Sequence, residues 1–240
     1  MFSLKNHPFA VEAFFDYSIV LSYAVPKKAV EGLLPNFLSL DLWQDEFAFF
    51  TIALVKVRNL RPKGFPEILG QDFHLIGHRL FVKYQSVSGK RLRGLYILKS
   101  QTDKQSMVSL GNLMTHYKYE KVRIATDCSD SNIVIDANET IAFSMSRGNE
   151  DTLLPRHSPF DTWKEARRFA GPLPFTFSAL SDEKVLIVEG VRSNWKPVPL
   201  QINSLELKLD APFLEKAVLA NAFIVENIPY HWKKGRVESW

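Results

Sequence analysis

Short apolar and aromatic runs separated by turn residues dominate the chain, and they predict a protein built mainly of β-strands. The run at residues 47–57 is almost wholly apolar, as expected for a buried strand. Residues 87–91 look like a hairpin turn, with Gly89 available for a positive φ angle. The predicted strands are residues 11–25, 47–57, 74–86, 93–101, 119–125, 132–136, 140–146, 173–179, 185–192, 200–209 and 222–225.

Four short segments carry helical signals instead. Pro26 opens the first helix, because the N–H that proline lacks would be unpaired in a first turn, and Pro35 closes it. Asp161 and Asp210 are expected to cap the last two helices. The predicted helices are residues 27–34, 106–116, 160–169 and 211–219. Since strands and helices do not alternate regularly, we expect one α+β domain over residues 1–240 with a mainly antiparallel sheet.

Composition and charge argue against several classes of protein. Hydrophobic residues make up 46% of the chain and charged residues 23%, which is ordinary for a soluble globular protein. The net charge is +4 and the basic residues are scattered, so no nucleic-acid partner is expected. One cysteine cannot form an internal disulfide, and no apolar run approaches the roughly 18 residues of a membrane helix. We expect a cytoplasmic protein without a membrane partner. Whether it forms a homo-oligomer stays open.

Motifs for common cofactors and nucleophiles are missing from the sequence. The chain has neither a phosphate-binding glycine loop nor a Gly-x-Ser-x-Gly elbow. His74 and His78 are four residues apart, but that spacing covers roughly 13 Å along a strand, so a shared zinc ion is not expected. Cys128 lies among acidic residues, which disfavour a reactive thiolate. No metal and no cofactor is therefore predicted, and residue types alone indicate an α+β domain with an aromatic-lined cavity.

The order of several short motifs gives a more specific indication. The motifs are Leu33-Leu34-Pro35, Leu40-Asp41, Leu60-Arg61-Pro62, Gly77-His78-Arg79-Leu80, Arg93-Gly94-Leu95-Tyr96, His116-Tyr117-Lys118-Tyr119, Glu165-Ala166-Arg167-Arg168-Phe169 and Trp195-Lys196-Pro197. Together they resemble a bacterial family of unknown function that is related to acetoacetate decarboxylase, over roughly residues 11–225. The resemblance implies an acetoacetate decarboxylase-like antiparallel β-barrel or cone, with short helices at its ends and a small-molecule cavity inside.

The resemblance does not carry over the catalytic residues of the decarboxylase. In that enzyme a lysine in a Pro-Lys-Lys segment forms a Schiff base, and the alignment places this segment at residues 117–119. Tyr119 then takes the place of the nucleophile, while Lys118 is the alternative nucleophile if the alignment shifts by one residue. An arginine and a glutamate of the decarboxylase correspond to Asp16 and Leu75. Because a Schiff base needs a buried neutral amine, we do not expect this chemistry.

Arg79 is the polar residue most strongly indicated as a ligand-binding group. Its neighbours predict a strand that faces the cavity, where a guanidinium could bind a substrate carboxylate through two hydrogen bonds. A structural ion pair with an acidic side chain is the alternative. Tyr96, His116 and Tyr119 are candidate hydrogen-bonding residues in the same cavity, with an aromatic core as the alternative explanation.

The function expected from these residues is the binding of a small, carboxylate-bearing molecule without Schiff-base chemistry. Whether the protein is an enzyme stays open. One alternative is a decarboxylase or lyase that acts on a small keto acid through Lys118. The other is a non-catalytic structural or interaction module that kept the fold and closed the cavity.

Overall fold

The computed structural model describes residues 3–129, 132–137, 140–149 and 151–239, and every statement below refers to these residues. The ends of the expected 1–240 domain, residues 1, 2 and 240, lie outside them. The strands are β1 (Val11–Pro26), β2 (Leu38–Leu40), β3 (Phe47–Pro62), β4 (Gln71–Gln85), β5 (Arg91–Thr102), β6 (Tyr119–Lys121), β7 (Ile124–Cys128), β8 (Ile133–Ala137), β9 (Ile141–Arg147), β10 (Phe175–Ser181), β11 (Lys184–Arg192), β12 (Val198–Leu207), β13 (Val218–Trp232) and β14 (Arg236–Ser239). The helices are α1 (Gln105–Met114), α2 (Trp163–Phe169) and short 3₁₀ turns at Leu4–Asn6, Lys27–Ala29, Glu31–Leu33, Glu67–Leu69 and Pro212–Lys216.

Strands from distant parts of the chain form a closed, cone-like ring. The strand order is β11, β10, β5, β4, β3, β1 and β13, and β13 returns to β11 where Arg192 pairs with Tyr230 and Gly190 with Trp232. The pairings around the ring are antiparallel, except that β10 runs parallel to β5. This architecture confirms the mainly antiparallel α+β fold predicted from the strand pattern.

A second sheet covers part of the outside of the ring. Strands β12, β9, β8 and β7 continue from β13, which β12 meets at Val198 and Pro199. Their apolar residues pack against the outer face of the ring strands in one core cluster, whose members include Ile133, Ile135, Phe143 and Met145 from the second sheet and Ile19, Leu21, Ile52 and Ile76 from the ring. Since successive side chains on a strand alternate between faces, the residues between these ring positions point inward.

The inner face of the ring forms a second core cluster that is rich in aromatic residues. Helix α2 closes one end, where the ring of Phe49 lies 5.4 Å from that of Phe160 and 4.9 Å from that of Phe169. An ion-pair network around the buried Asp41 carboxylate fixes this end, because Asp41 contacts the partly exposed Lys83 Nζ at 2.6 Å and Arg93 Nε at 2.5 Å. Arg93 also donates to the carbonyl oxygen of Phe169 at 2.9 Å, which ties β5 to α2.

Some predicted strands have different bounds in the structure. The strand expected at residues 222–225 is the fifteen-residue β13, and the terminal strand β14 was not predicted. Polar residues and Pro229 hid the length of β13, since Asn227, with its φ angle of 54°, lies inside the strand rather than at its end. The segment predicted at residues 119–125 divides into β6 and β7, which join different sheets.

The helices are shorter than the sequence predicts. The helix expected at residues 27–34 is two 3₁₀ turns, and the helix expected at residues 211–219 is the 3₁₀ turn Pro212–Lys216 without a side-chain cap from Asp210. Helix α2 is capped by Thr162, whose hydroxyl accepts from the Glu165 N–H, and not by Asp161. No helix in the described part of the chain is long and apolar enough to span a membrane.

Candidate functional site

Arg79 points into the ring from the middle of β4. It lies on the same strand face as Leu75 and Phe81, which pack in the inner core. Its Nε atom is inaccessible to solvent and has no hydrogen-bond partner. The described residues contain no ion pair to Arg79, so the alternative of a structural ion pair is not realised among them.

A glycine gives the Arg79 side chain the space it occupies. A Cβ atom at Gly77 would lie 2.6 Å from Arg79 Nε and 2.9 Å from its Nη2. The guanidinium therefore folds back along its own strand and lies over Gly77. Any larger residue at position 77 would displace the guanidinium from this location.

Burial is the main influence on the charge of Arg79. It lowers the pKa of the guanidinium from its ordinary value, and Arg192 adds to the decrease, while Tyr230, Tyr119 and Tyr117 oppose it. Arg79 also keeps some accessible surface, although it lines none of the three pockets described below. The principal influences on Arg79 besides burial are thus one cation and three phenols.

Three tyrosines bring phenol groups toward Arg79 from different elements. Tyr117 and Tyr119 come from the segment after α1, with ring centroids 6.4 Å apart, and Tyr230 comes from β13. The hydroxyl of Tyr117 is buried, with the side chain of Thr176 beside it. Burial raises the pKa of Tyr117, and it raises that of Tyr119 to about 12 although Arg79 opposes this. Both phenols are therefore protonated at neutral pH and can donate hydrogen bonds.

Arg192 adds a second cation on the side of Tyr230. Its guanidinium lies 4.6 Å from the ring centroid of Trp195 and 5.5 Å from that of Tyr230, and its Nη2 donates to the Leu173 carbonyl at 3.2 Å. The Tyr230 hydroxyl occupies the space where a Cβ atom at Gly190 would lie. Arg192 and Tyr230 also line a pocket of about 360 Å³.

The residues predicted to share one cavity are divided between two pockets. Tyr96, His116 and Lys118 line a pocket of about 240 Å³, whereas Tyr119 lines another of about 220 Å³ beside α1. Tyr96 pairs with Leu80, the neighbour of Arg79, so Tyr96 and Arg79 lie on opposite faces of the sheet. Tyr96 and His116 therefore share no pocket with Tyr119, and Arg79 lines neither of these two pockets.

Lys118 lies at the surface of the protein. It is exposed, it has a φ angle of 53°, and it precedes β6. His116, which lines the same pocket as Lys118, has its Nε2 3.2 Å from Asn6 Oδ1, and burial lowers the pKa of His116. Tyr119, by contrast, packs its ring against Gly111 of α1. Consecutive residues of this segment are thus directed to different pockets.

The positions aligned with other catalytic groups of the decarboxylase have structural contacts. Asp16 forms ion pairs with Arg58 and, at 3.7 Å, with Lys56. Leu75 belongs to the inner apolar core. Neither residue brings a cation or a carboxylate to Arg79.

The two histidines weighed as zinc ligands bind other side chains. His74 Nδ1 lies 2.7 Å from Asp103 Oδ2, and His78 Nε2 lies 2.9 Å from Gln101 Oε1. Within the described ranges no group of three or more His, Cys, Asp and Glu side chains could hold a metal ion.

Sequence reasoning missed Tyr117, Tyr230 and Arg192 as neighbours of Arg79. Tyr117 stood in the quoted motif beside Tyr119, but nothing in the sequence showed that both rings turn toward the interior. Tyr230 and Arg192 are placed there by the β11–β13 pairing that closes the ring, and their pairing has no signal in the sequence.

Comparison with known families agrees with the architecture. A family model described as an uncharacterized conserved protein, DUF2071, matches residues 15–209. The chain belongs to the DUF2071 family. A search of curated proteins gave no significant match to this DUF2071 protein.

Several solved structures share the fold of the DUF2071 protein. Acetoacetate decarboxylase from Legionella pneumophila has a TM-score of 0.63 and 12% identity, over 97% of this chain and 89% of that one. An acetoacetate decarboxylase-like enzyme from Sphingomonas wittichii has a TM-score of 0.58 and 10% identity, over 99% and 94%. The enduracididine biosynthesis enzyme MppR, complexed with pyruvate, has a TM-score of 0.54 and 9% identity, over 97% and 90%. At these identities the likeness establishes the fold, and it confirms the resemblance inferred from the motifs.

Proposed function

We propose that this protein binds a small carboxylate-bearing molecule inside the ring and that Arg79 is the group that holds the carboxylate. The observation that carries the proposal is the buried Arg79 Nε, which has no hydrogen-bond partner among the described residues. Leaving a buried donor unpaired costs about 1–3 kcal/mol, so a fold that retains one gains when an anion completes it.

The groups around Arg79 support an anionic ligand over a neutral or cationic one. Arg192 is a second cation, and the phenols of Tyr117 and Tyr119 can donate hydrogen bonds to an oxygen. Hydrogen bonds between a guanidinium and a carboxylate are charge-assisted and often bidentate, which makes them stronger than neutral ones. No carboxylate of the protein ranks among the main electrostatic influences on Arg79, so a ligand would meet little competition.

The fold likeness supports small acids as the first ligands to test. MppR was solved with pyruvate, a small oxo acid, and the other two relatives are acetoacetate decarboxylase or resemble it. Chain identities of 9–12% do not transfer a substrate, but they make small oxo acids reasonable probes.

The proposal does not include Schiff-base chemistry. A lysine nucleophile must be neutral and enclosed by apolar groups, whereas Lys118 is exposed and Tyr119 supplies a phenol. The decarboxylase or lyase alternative therefore depends on Lys118 entering an environment different from the one it has here. Incubation with acetoacetate and sodium borohydride, followed by intact mass measurement, should give no adduct. An adduct that is lost in Lys118→Ala would establish the alternative.

Calorimetric titration tests the binding proposal. Acetate, butyrate, pyruvate and 4-oxopentanoate should bind, whereas neutral 2-pentanone and butanol should bind at least tenfold more weakly. The Arg79→Met variant should lose tenfold to a hundredfold in affinity for the acids, since charge-assisted hydrogen bonds contribute about 1.5–3 kcal/mol.

Arg147→Met is the matched control for this experiment. Arg147 forms a two-contact ion pair with Glu226, at 2.7 and 2.8 Å, and belongs to β9 of the second sheet. This variant should bind the acids as the unaltered protein does. Equal affinity of Arg79→Met for the acids would contradict the proposal, and failure of every acid to bind would favour the structural or interaction module.

A further inference from the structure

A row of polar side chains crosses the inner face of the ring beside Arg79. Thr51 of β3 pairs with Arg79 of β4, Ser22 of β1 pairs with Thr51, and Asn221 of β13 pairs with Ser22. Directly paired residues point to the same face of a sheet. Four neighbouring strands therefore direct Asn221, Ser22, Thr51 and Arg79 into the same interior.

The side chains of Asn221, Ser22 and Thr51 in this row are almost completely buried. Asn221 and Ser22 are each 0% exposed and Thr51 is 2% exposed. Both polar atoms of the Asn221 amide and the hydroxyl of Ser22 have no hydrogen-bond partner. The remaining members of this inner face are largely apolar, among them Phe49, Val55 and Phe223.

Unpaired polar groups in such a place require an explanation. Each buried donor or acceptor without a partner costs about 1–3 kcal/mol, and apolar residues of the same size would avoid that cost. Asn221 presents an N–H donor and a carbonyl acceptor on one planar group. Its complement is another group with a donor and an acceptor side by side, as in a carboxamide.

The row also sets the separation of Asn221 and Arg79 along the sheet. Directly paired residues have Cα atoms about 4.5–5.5 Å apart, so three steps from Arg79 to Asn221 cover about 15 Å between their Cα atoms along the curved sheet. Both side chains extend from these Cα atoms, and the guanidinium lies over Gly77, so the two polar groups are not separated by the Cα distance itself. A spacer of about three carbons lies well within this span and is the length to test first.

We infer that Asn221, together with Ser22 and Thr51, forms a second subsite that binds a carboxamide, or a group with the same donor and acceptor, at the far end of the ligand. This inference rests on the proposed function, because Arg79 holds the carboxylate end of the same molecule. It narrows the ligand class from small carboxylates to acids that carry a second polar group.

Two isosteric acids test the subsite by calorimetric titration. Glutaramate has a carboxamide at the end of a three-carbon spacer, and 5-methylhexanoate has the same shape with two methyl groups instead. The unaltered protein should bind glutaramate at least tenfold more tightly, since two hydrogen bonds contribute about 1–3 kcal/mol. Asn221→Leu, which keeps the side-chain size, should lose this preference and bind 5-methylhexanoate at least as tightly as before.

Further variants separate the failure of this subsite from the failure of the proposed function. Arg79→Met should weaken both acids alike; if it weakens neither, the proposed function fails and the subsite fails with it. If Arg79→Met weakens both but the unaltered protein does not distinguish the two acids, the subsite alone is refuted. If Asn221→Leu does not fold, Ser22→Ala replaces it as the test of the subsite. This variant should reduce the preference for glutaramate over 5-methylhexanoate by about fivefold. A crystal structure with glutaramate that shows only ordered water at Asn221 would also refute the subsite.

Discussion

Replacing Arg79 by methionine should stabilise the protein in the absence of ligand. Methionine has a similar volume and no polar atoms, so the inner core can accept it without a large cavity. The change removes a partly buried charge that has no carboxylate partner among the described residues, and a buried Nε without a hydrogen bond there. A structural arginine would behave in the opposite way.

The structure sets the size of this effect. An unsatisfied buried donor costs about 1–3 kcal/mol, and the partial dehydration of the charge adds to this. We expect a net gain of about 1–3 kcal/mol in the free energy of unfolding. For a chain of 240 residues this corresponds to a rise of several degrees in Tm.

Urea unfolding followed by fluorescence measures this free energy, and Arg61→Met is the matched control. Arg61 contacts Glu12 Oε1 at 2.9 Å and donates to the Phe65 and Asn59 carbonyls at 2.9 and 3.1 Å. The control should be destabilised by about 2–4 kcal/mol, because its loss leaves these acceptors unpaired. A comparable destabilisation of Arg79→Met would show that Arg79 has a structural partner and would refute the reasoning.

Three further predictions follow from individual contacts. Gly77→Ala should weaken the binding of carboxylates about tenfold in a calorimetric titration, because the new Cβ atom would lie 2.6 Å from Arg79 Nε; unchanged affinity would show that the guanidinium has another position. Asp41→Asn should lower the free energy of unfolding by about 2–4 kcal/mol in urea, because Lys83 and Arg93 lose their shared carboxylate at 2.6 and 2.5 Å; no loss would show that α2 is fixed by packing alone. Burial lowers the pKa of His78, so its contribution to stability is complete above the unfolded pKa of about 6.5 and is lost as the pH falls below that value. His78→Gln should therefore reduce the decline in Tm between pH 7 and pH 5. An identical decline would show that His78 does not contribute to this pH dependence.

Much of the ring could be predicted from sequence because its strands are long apolar runs. The strands β1 and β3 are buried on both faces over much of their length, so they appear as nearly continuous hydrophobic segments. Strand β13 was largely missed. Its polar Asn221 faces the interior and its Asn227 has a positive φ angle, and both residues are typical of turns in a sequence.

The candidate site was only partly predictable for a related reason. The face on which a strand residue lies depends on the register of pairing, and one step of register reverses it. The sequence indicated that Arg79 faces the cavity, but it could not show that Tyr96 pairs with Leu80 on the opposite face. Nor could it bring Arg192 and Tyr230 together, since their strands meet only where the ring closes.

A crystal structure of the protein with a small oxo acid such as 4-oxopentanoate tests the central claim most directly. The account predicts that the carboxylate lies inside the ring, with its oxygens within about 3.2 Å of the Arg79 guanidinium. It also predicts that the phenol of Tyr117 or Tyr119 lies within hydrogen-bonding distance of the same ligand. An acid bound elsewhere, with Arg79 hydrogen-bonded only to protein atoms or water, would contradict the account.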